Sequence, residues 1–270
     1  MALRDNMVSW WELNEESGTR VDAHGSNDLT AGGTGGVGFG TGKQGNAADF
    51  EAGDTDYLAI TDASQSGLDF STTFSVSAWI KLESAHNGAI ISKDADDSAA
   101  TRGYMFWSDS GVLKALVGGG SGTFDFYQSS SSLSTGTWYH VVLTCNTSNA
   151  SATTFEFFVN GSSIGNGSAI ISNNITSIQN NATVFNIGSK NSGAGLSFDG
   201  LIDEVGVWSK VLSGTEITDL YNSGNGLTYA GTGSASGPAN VKTWNGITAA
   251  NTKTVNGIAI ASVKSGNGIL

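Results

Sequence analysis

Residues 74–82 read Phe-Ser-Val-Ser-Ala-Trp-Ile-Lys-Leu, with Phe74, Val76, Ala78, Ile80 and Leu82 on every second position. A strand turns successive side chains to opposite faces, so this row predicts a half-buried β-strand. Shorter alternating segments follow at 89–92, 104–107, 113–117, 123–128, 138–145, 155–160 and 184–187, separated by Gly and Asn. Asn160-Gly161 predicts a tight hairpin, because both residues accept positive φ. Short strands at this spacing imply an all-β chain folded as an antiparallel sandwich. One short helix is predicted, Ser213–Tyr221. Ser213 caps it, Glu216 completes a capping box, Ile217, Leu220 and Tyr221 share a face, and Gly224 suits the stop.

Core material is sufficient, since 12 Phe, 7 Trp and 6 Tyr offset the 38 Gly. Twelve basic residues against 24 acidic ones give a net charge of −12. That balance argues against nucleic acid, whose binding requires Lys and Arg to displace counterions. It suits a soluble acidic surface, and it permits a hard cation such as Ca²⁺. The single cysteine, Cys145, sits in the apolar run 139–145 and is expected as a buried thiol. No run approaches the roughly 18 apolar residues of a membrane span. No signal peptide precedes the first strand-like segment, so synthesis in the cytoplasm without Sec export is expected.

Composition shifts near Tyr229. The expected organisation is a sandwich at 1–230, a Gly/Ser linker at 231–240 and a tail at 241–270. In the tail Asn-Gly-Ile recurs at 245, 256 and 267, a period of 11 residues, with Lys242-Thr243, Lys253-Thr254 and Lys264-Ser265 upstream. Each unit predicts strand, Asn-Gly turn, strand: a small β-meander. A piece this short cannot build its own core. Val241, Trp244, Ile247, Val255, Ile258 and Val263 are therefore expected to assemble against other copies of the chain or a partner surface.

Several segments occur together in order: Val8–Thr19, Asp22–Leu29, Gly42–Ala47, Phe74–Leu82, Gly136–Val141, Asp199–Val205 and Asn222–Gly226. Over residues 7–229 the chain resembles the laminin-G-like domains of the concanavalin A-like lectin/glucanase superfamily, in its bacterial and phage branch. The resemblance implies a jelly-roll β-sandwich of two curved antiparallel sheets, with the tail outside it. The fold hosts lectins, hydrolases and adhesion modules, so it does not fix a ligand. The tail repeat is similar to those appended to phage virion proteins.

Glycoside hydrolysis needs two carboxylates on one face, about 5–5.5 Å apart for retention. Asp203 and Glu204 are adjacent and expected on opposite faces. His24, His86 and His140 fall in separate elements, and no Gly-x-Ser-x-Gly elbow occurs. A non-enzymatic chain is expected. Asp203 shares parity with Leu201, Val205 and Val207, where a carboxylate needs compensation by backbone N–H groups or a cation. The resemblance implies Ca²⁺ joining Asp203 to the loop of Asp22, Asn27 and the Gly25 carbonyl. Trp79 has the opposite parity to the Phe74 row. With Phe106, Trp107 and Tyr127 on neighbouring strands it offers a glycan-stacking face, the alternative being core packing.

Together these features suggest a non-catalytic surface module of a phage virion, a decoration or fibre protein. It would bind glycan or cell surface through the sandwich and be anchored by 241–270 to capsid or tail proteins. A surface module without an export signal needs another route out, and lysis supplies one. A purely structural virion protein and a bacterial extracellular adhesin are the alternatives.

Overall fold

The computed structural model describes residues 3–95, 102–148 and 153–233, and beyond them four two-residue strand segments at 243–244, 247–248, 254–255 and 258–259. In chain order the strands of the body are β1 (Met7–Trp11), β2 (Thr30–Gly32), β3 (Gly38–Thr41), β4 (Asn46–Phe50), β5 (Tyr57–Ile60), β6 (Thr73–Leu82), β7 (Asn87–Lys93) and β8 (Tyr104–Asp109). They continue as β9 (Val112–Gly120), β10 (Thr123–Ser132), β11 (Trp138–Asn146), β12 (Thr154–Val159), β13 (Ser162–Gly165), β14 (Ser168–Ile171), β15 (Phe185–Ile187) and β16 (Gly200–Trp208). They form two eight-stranded antiparallel sheets. The first runs β13-β12-β11-β6-β16-β4-β3, with β1 also on β16; the second runs β14-β10-β9-β8-β7-β15-β5-β2. The chain is a β-sandwich, as its alternation demands.

Between the sheets lies one continuous core. The Phe74 row of β6 enters it, with all five side chains at most 2 % exposed. Facing them are Tyr104, Phe106, Leu113, Ala115 and Val117 of the second sheet. Cys145 is buried in the same core. The Asn160-Gly161 hairpin forms as expected, with φ of 52° and 76°, and it joins Val159 to Ser162.

Strand β6 departs from expectation in one respect. It is buried on both faces, because Ser75, Ser77 and Trp79 are covered as well. Their cover is the chain from Lys210 to Gly226, with helix α1 (Gly214–Tyr221) at its centre. The capping box of Ser213 and Glu216 is present in full, and Ile217 and Leu220 are buried. Asn222, with φ of 48°, supplies the left-handed stop earlier than Gly224. On this outer face Leu3, Met7, Trp10, Val142, Phe158, Trp208, Leu212, Ile217 and Leu220 make a second apolar cluster. Trp10 and Trp208 meet edge to face at 6.0 Å. Burial of each such side chain contributes about 1.5–3 kcal/mol, so the cover is strongly held.

The body also runs past the boundary expected at 230. Residues Tyr229–Thr232 form a single helical turn, α2. Thr232 is 2 % exposed, and its Oγ1 accepts from Arg4 Nε at 3.2 Å. In the tail, Thr243–Trp244 pairs with Ile247–Thr248 and Thr254–Val255 with Ile258–Ala259, both antiparallel. Val241 and Val263 lie outside the described residues, as do the side chains of Trp244, Ile247, Val255 and Ile258.

Gly188 follows β15 with φ of +84°, and a Cβ there would sit 2.2 Å from the Phe50 ring. Left-handed backbone and overpacking would add, so Gly188→Ala should cost about 2–4 kcal/mol in urea unfolding. A loss below about 0.5 kcal/mol would show that the sheets separate easily at this point.

Candidate functional site

Three polar features stand out once the sandwich is built: the carboxylates of β16, a Ser–His pair beneath α1, and a groove on the second sheet. The first begins with a register change. Ile202 pairs with Ile80 and Asp203 with Trp79, but the next pair is Gly206 with Ser77. The β-bulge lies between, and Glu204 takes a φ of 49°. It resets the parity expected for Asp203. Ile202, Val205 and Val207 face the core, while Asp203 shares the outer side with its partner Trp79. Glu204 turns to the same side rather than the opposite one, and its Oε2 accepts from Trp10 Nε1 at 2.6 Å.

Asp203 Oδ2 accepts the backbone N–H groups of Lys43 and Gln44 at 2.7 and 2.9 Å. Burial is the main force on both carboxyls. It pushes Asp203 up to about 7 against the backbone N–H bonds that favour its charged form. Glu204 is pushed up to about 9 by burial and then by the charge of Asp203.

The loop expected to share a cation with Asp203 is built differently. Asp22 Oδ1 accepts from the backbone N–H of Trp10, His24 and Gly25 at 3.0, 3.0 and 2.9 Å, and Oδ2 from that of Asn27 at 3.0 Å. Asn27 commits its amide to Ser9 Oγ and the Ser66 carbonyl, and its Oδ1 accepts from Ser66 N–H at 2.7 Å. Asp22, Gly25 and Asn27 thus brace a turn with their own hydrogen bonds. Asp203 instead belongs to the 43–44 turn, with Oδ1 left over. Of the expected set, Asp203 keeps one oxygen without a hydrogen-bond partner, while both oxygens of Asp22 accept backbone N–H groups.

Beneath α1, Ser77 Oγ and His140 Nε2 lie 2.8 Å apart, both residues at most 2 % exposed. The sequence did not signal this pair, since strand neighbours 63 residues apart carry no motif. His140 Nδ1 has no partner. Burial holds the ring neutral, with its pKa lowered to about 3. A neutral, enclosed imidazole without an acidic partner braces the sheet and is poorly suited to proton transfer.

The expected glycan platform is not assembled. Trp79 is 3 % exposed, stacked on Tyr221 at 5.8 Å, with Lys43 Nζ 4.6 Å above its ring. The cover from α1 to Gly226 closes it off. Phe106 lies in the core. Trp107 is outside the core but 6 % exposed, lying under Phe126 at 5.1 Å. Tyr127 is half-buried and turns inward onto Phe155 at 5.2 Å. The half-buried rings on this outer face are Phe124 and Phe126, under Arg102 and Lys114.

At the other end of the second sheet, around β2 and β5, lies a groove of about 490 Å³ lined by Asp28, Thr30, Tyr57, Thr61, Ser64 and Ser192 among others. Tyr57 lies across Gly32, where any Cβ would fall 2.2 Å from its ring. Asp28 is oriented by the N–H of Asp22, which donates to its Oδ1 at 2.8 Å. None of these residues was legible as a site, because hydroxyls and Asp are equally common in plain turns. A separate acidic group, Asp49, Glu51 and Glu83, gathers at strand ends with ligand atoms within 4.8 Å, partly exposed. Among the described residues no helix is long and apolar enough to cross a membrane.

His140 sets a pH dependence of stability. As pH falls from the ordinary 6.5 towards 3, the unfolded chain binds a proton that the native ring refuses. Stability should therefore be lost on acidification through that window. The melting temperature of wild type should fall relative to His140→Gln between about pH 7 and pH 4. A constant difference would contradict this.

A laminin-G-type family model, described as concanavalin A-like lectin/glucanases superfamily, matches residues 52–218. No curated protein sequence matches the chain. Among solved structures, the binding domain of Paraclostridial Mosquitocidal Protein 1 is similar with a TM-score of 0.61 at 17 % identity, covering 82 % of this chain and 53 % of that one. Domain 4 of AbnA, a GH43 extracellular arabinanase from Geobacillus stearothermophilus solved with arabinotriose, gives 0.57 at 17 % identity over 79 % of this chain and 97 % of that one. The botulinum neurotoxin DC binding domain, solved with rat synaptotagmin II, gives 0.57 at 16 % over 82 % and 52 %. The chain spans about half the length of those toxin binding domains. At these identities the likeness is one of fold.

Proposed function

Because the chain belongs to the concanavalin A-like lectin/glucanase superfamily, we propose that it is a non-catalytic binding module that recognises carbohydrate through the outer face of its second sheet. The observation that carries this is the 490 Å³ groove. A saccharide presents hydroxyls at its edges and C–H groups on its faces. The groove answers with one carboxylate, several hydroxyls and the face of Tyr57. A solved neighbour of similar fold holds arabinotriose, which supports carbohydrate as the ligand class.

The same reading extends to display. The 11-residue tail repeat supports a virion surface protein, a decoration or fibre component, held by 241–270 to its own copies or to capsid or tail proteins. The groove lies on the second sheet. Helix α2 is tied through Tyr229 to Arg4 and Glu12 on either side of β1 in the first sheet.

Oligosaccharide binding should be measured by array and calorimetry, with arabinotriose among the probes. An aromatic contact contributes about 0.5–1.5 kcal/mol, so Tyr57→Ala should weaken binding by up to about tenfold. Asp28→Ala should do at least as much, and Phe126→Ala should leave affinity unchanged. Loss with Phe126→Ala but not Tyr57→Ala would move the site to the other end of the sheet. No binding to any glycan would remove the carbohydrate reading.

Truncation after Gly233 should leave a folded, soluble sandwich with its melting temperature unchanged, in a lower oligomeric state than the full chain. Retention of the full-length assembly would show that the tail is not the anchor.

A further inference from the structure

The strand pair β2–β5 sets the floor of the groove. Thr30 pairs with Ala59 and Gly32 with Tyr57. These positions share the face away from the core, since Leu29, Leu58 and Ile60 point into it. Hydroxyls of Thr30, Thr61, Ser64 and Ser192 surround that floor, all on exposed residues. Among the described residues that line the groove, Asp28 alone is charged, and none is Lys, Arg or His. The Asp22 N–H donates to Asp28 Oδ1 at 2.8 Å. It fixes the carboxylate while the residue stays exposed.

The cation beside the groove is spent elsewhere. Lys93 Nζ lies 2.8 Å from Asp62, the neighbour of Thr61 in the chain. It also holds Asp69 at 2.8 Å and donates to the Asn181 carbonyl at 2.6 Å. Its side chain is 2 % exposed. One positive charge is thus divided between two carboxylates and withheld from a ligand. The net charge of −12 adds to the negative field.

A carboxylated or sulfated sugar placed here would set a second anion beside Asp28. It would give up hydration with no cation in exchange. A neutral sugar meets the opposite situation. Its hydroxyls donate to Asp28 in charge-assisted bonds and trade hydrogen bonds with the surrounding Ser and Thr. Building on the carbohydrate reading, we propose that the groove selects uncharged saccharides and rejects acidic ones, with Asp28 setting that choice through repulsion as well as attraction.

The test uses the full-length chain at low ionic strength. An array prints each neutral oligosaccharide beside its acidic counterpart, with lactose and sialyllactose, and the methyl ester of trigalacturonate and trigalacturonate itself, among the pairs. Calorimetry then measures the best pair. The neutral member should bind tighter by about tenfold or more, and added salt should narrow the gap by screening. Asp28→Asn keeps an acceptor for the Asp22 N–H and removes the charge. It should narrow the gap to about threefold or less, by strengthening the acidic member and weakening the neutral one. A bracing role alone would weaken both equally. Thr30→Lys, at an exposed position, is the second variant and should turn the preference towards the acidic member. An acidic sugar as the strongest wild-type ligand, or equal affinity within the pair, would overturn the charge rule and leave the carbohydrate reading standing. An unchanged gap in folded Asp28→Asn or Thr30→Lys would overturn it too. Absence of binding to every glycan would remove the carbohydrate reading and this selectivity together.

Discussion

Strand β16 is buried at all nine positions from Gly200 to Trp208. It pairs with β6 along one side and with β4 and then β1 along the other. Ile202, Val205 and Val207 fill the space between the sheets. Trp208, on the opposite side, gives its indole N–H to the Leu3 carbonyl at 2.6 Å. A strand enclosed on both faces demands a third layer, and the chain from Ser209 to Thr232 supplies most of it. Ser75 joins the layers directly, giving its hydroxyl to the Lys210 carbonyl and accepting from the Leu212 N–H, at 2.8 and 3.0 Å. Helix α1 and the segment to Thr232 are therefore part of the fold's core rather than an appendage.

The sandwich, its hairpin and its capped helix were legible in the sequence, because each rests on a local rule: period two, Asn-Gly, and Ser-x-x-Glu. What failed were inferences that needed a neighbour. Trp79 has the parity of an exposed face, and only the later arrival of Tyr221 buries it. Asp203 and Val205 share parity on paper. One residue in left-handed conformation at Glu204 separates them in space. Carboxylates that serve cations and carboxylates that brace turns, as Asp22 does, read alike in sequence. The backbone amides that occupy it come from Trp10, His24, Gly25 and Asn27, and only folding brings Trp10 there. The groove around Tyr57 depends on Gly32 lying across the strand pair, a relation no local motif encodes.

The two outer faces are consequently unlike. That of the first sheet is consumed by its own chain, with Trp10, Trp208, Ile217 and Leu220 packed together. That of the second sheet carries a smaller apolar cluster, Ala89, Met105, Trp107 and Leu116, beneath half-buried Phe124 and Phe126. It also carries the groove at its β2 end. Among the described residues, the grooved and half-buried outer surface is thus concentrated on the sheet that α1 and the segment to Thr232 do not cover.

Tyr229 draws the two ends of the body together. Its N–H donates to Glu12 Oε1 at 3.0 Å, its carbonyl accepts from Arg4 Nη2 at 2.8 Å, and the guanidinium lies 4.0 Å from its ring centre. Arg4 and Glu12 flank β1, which is itself laddered to β16. A pull on Gly233 therefore meets the Arg4–Thr232 bond and then, at Tyr229, bonds to both sides of β1. It does not first strip away α1 and then the sheet beneath it, one bond after another. A body built this way keeps its two sheets in register when its last residues are loaded.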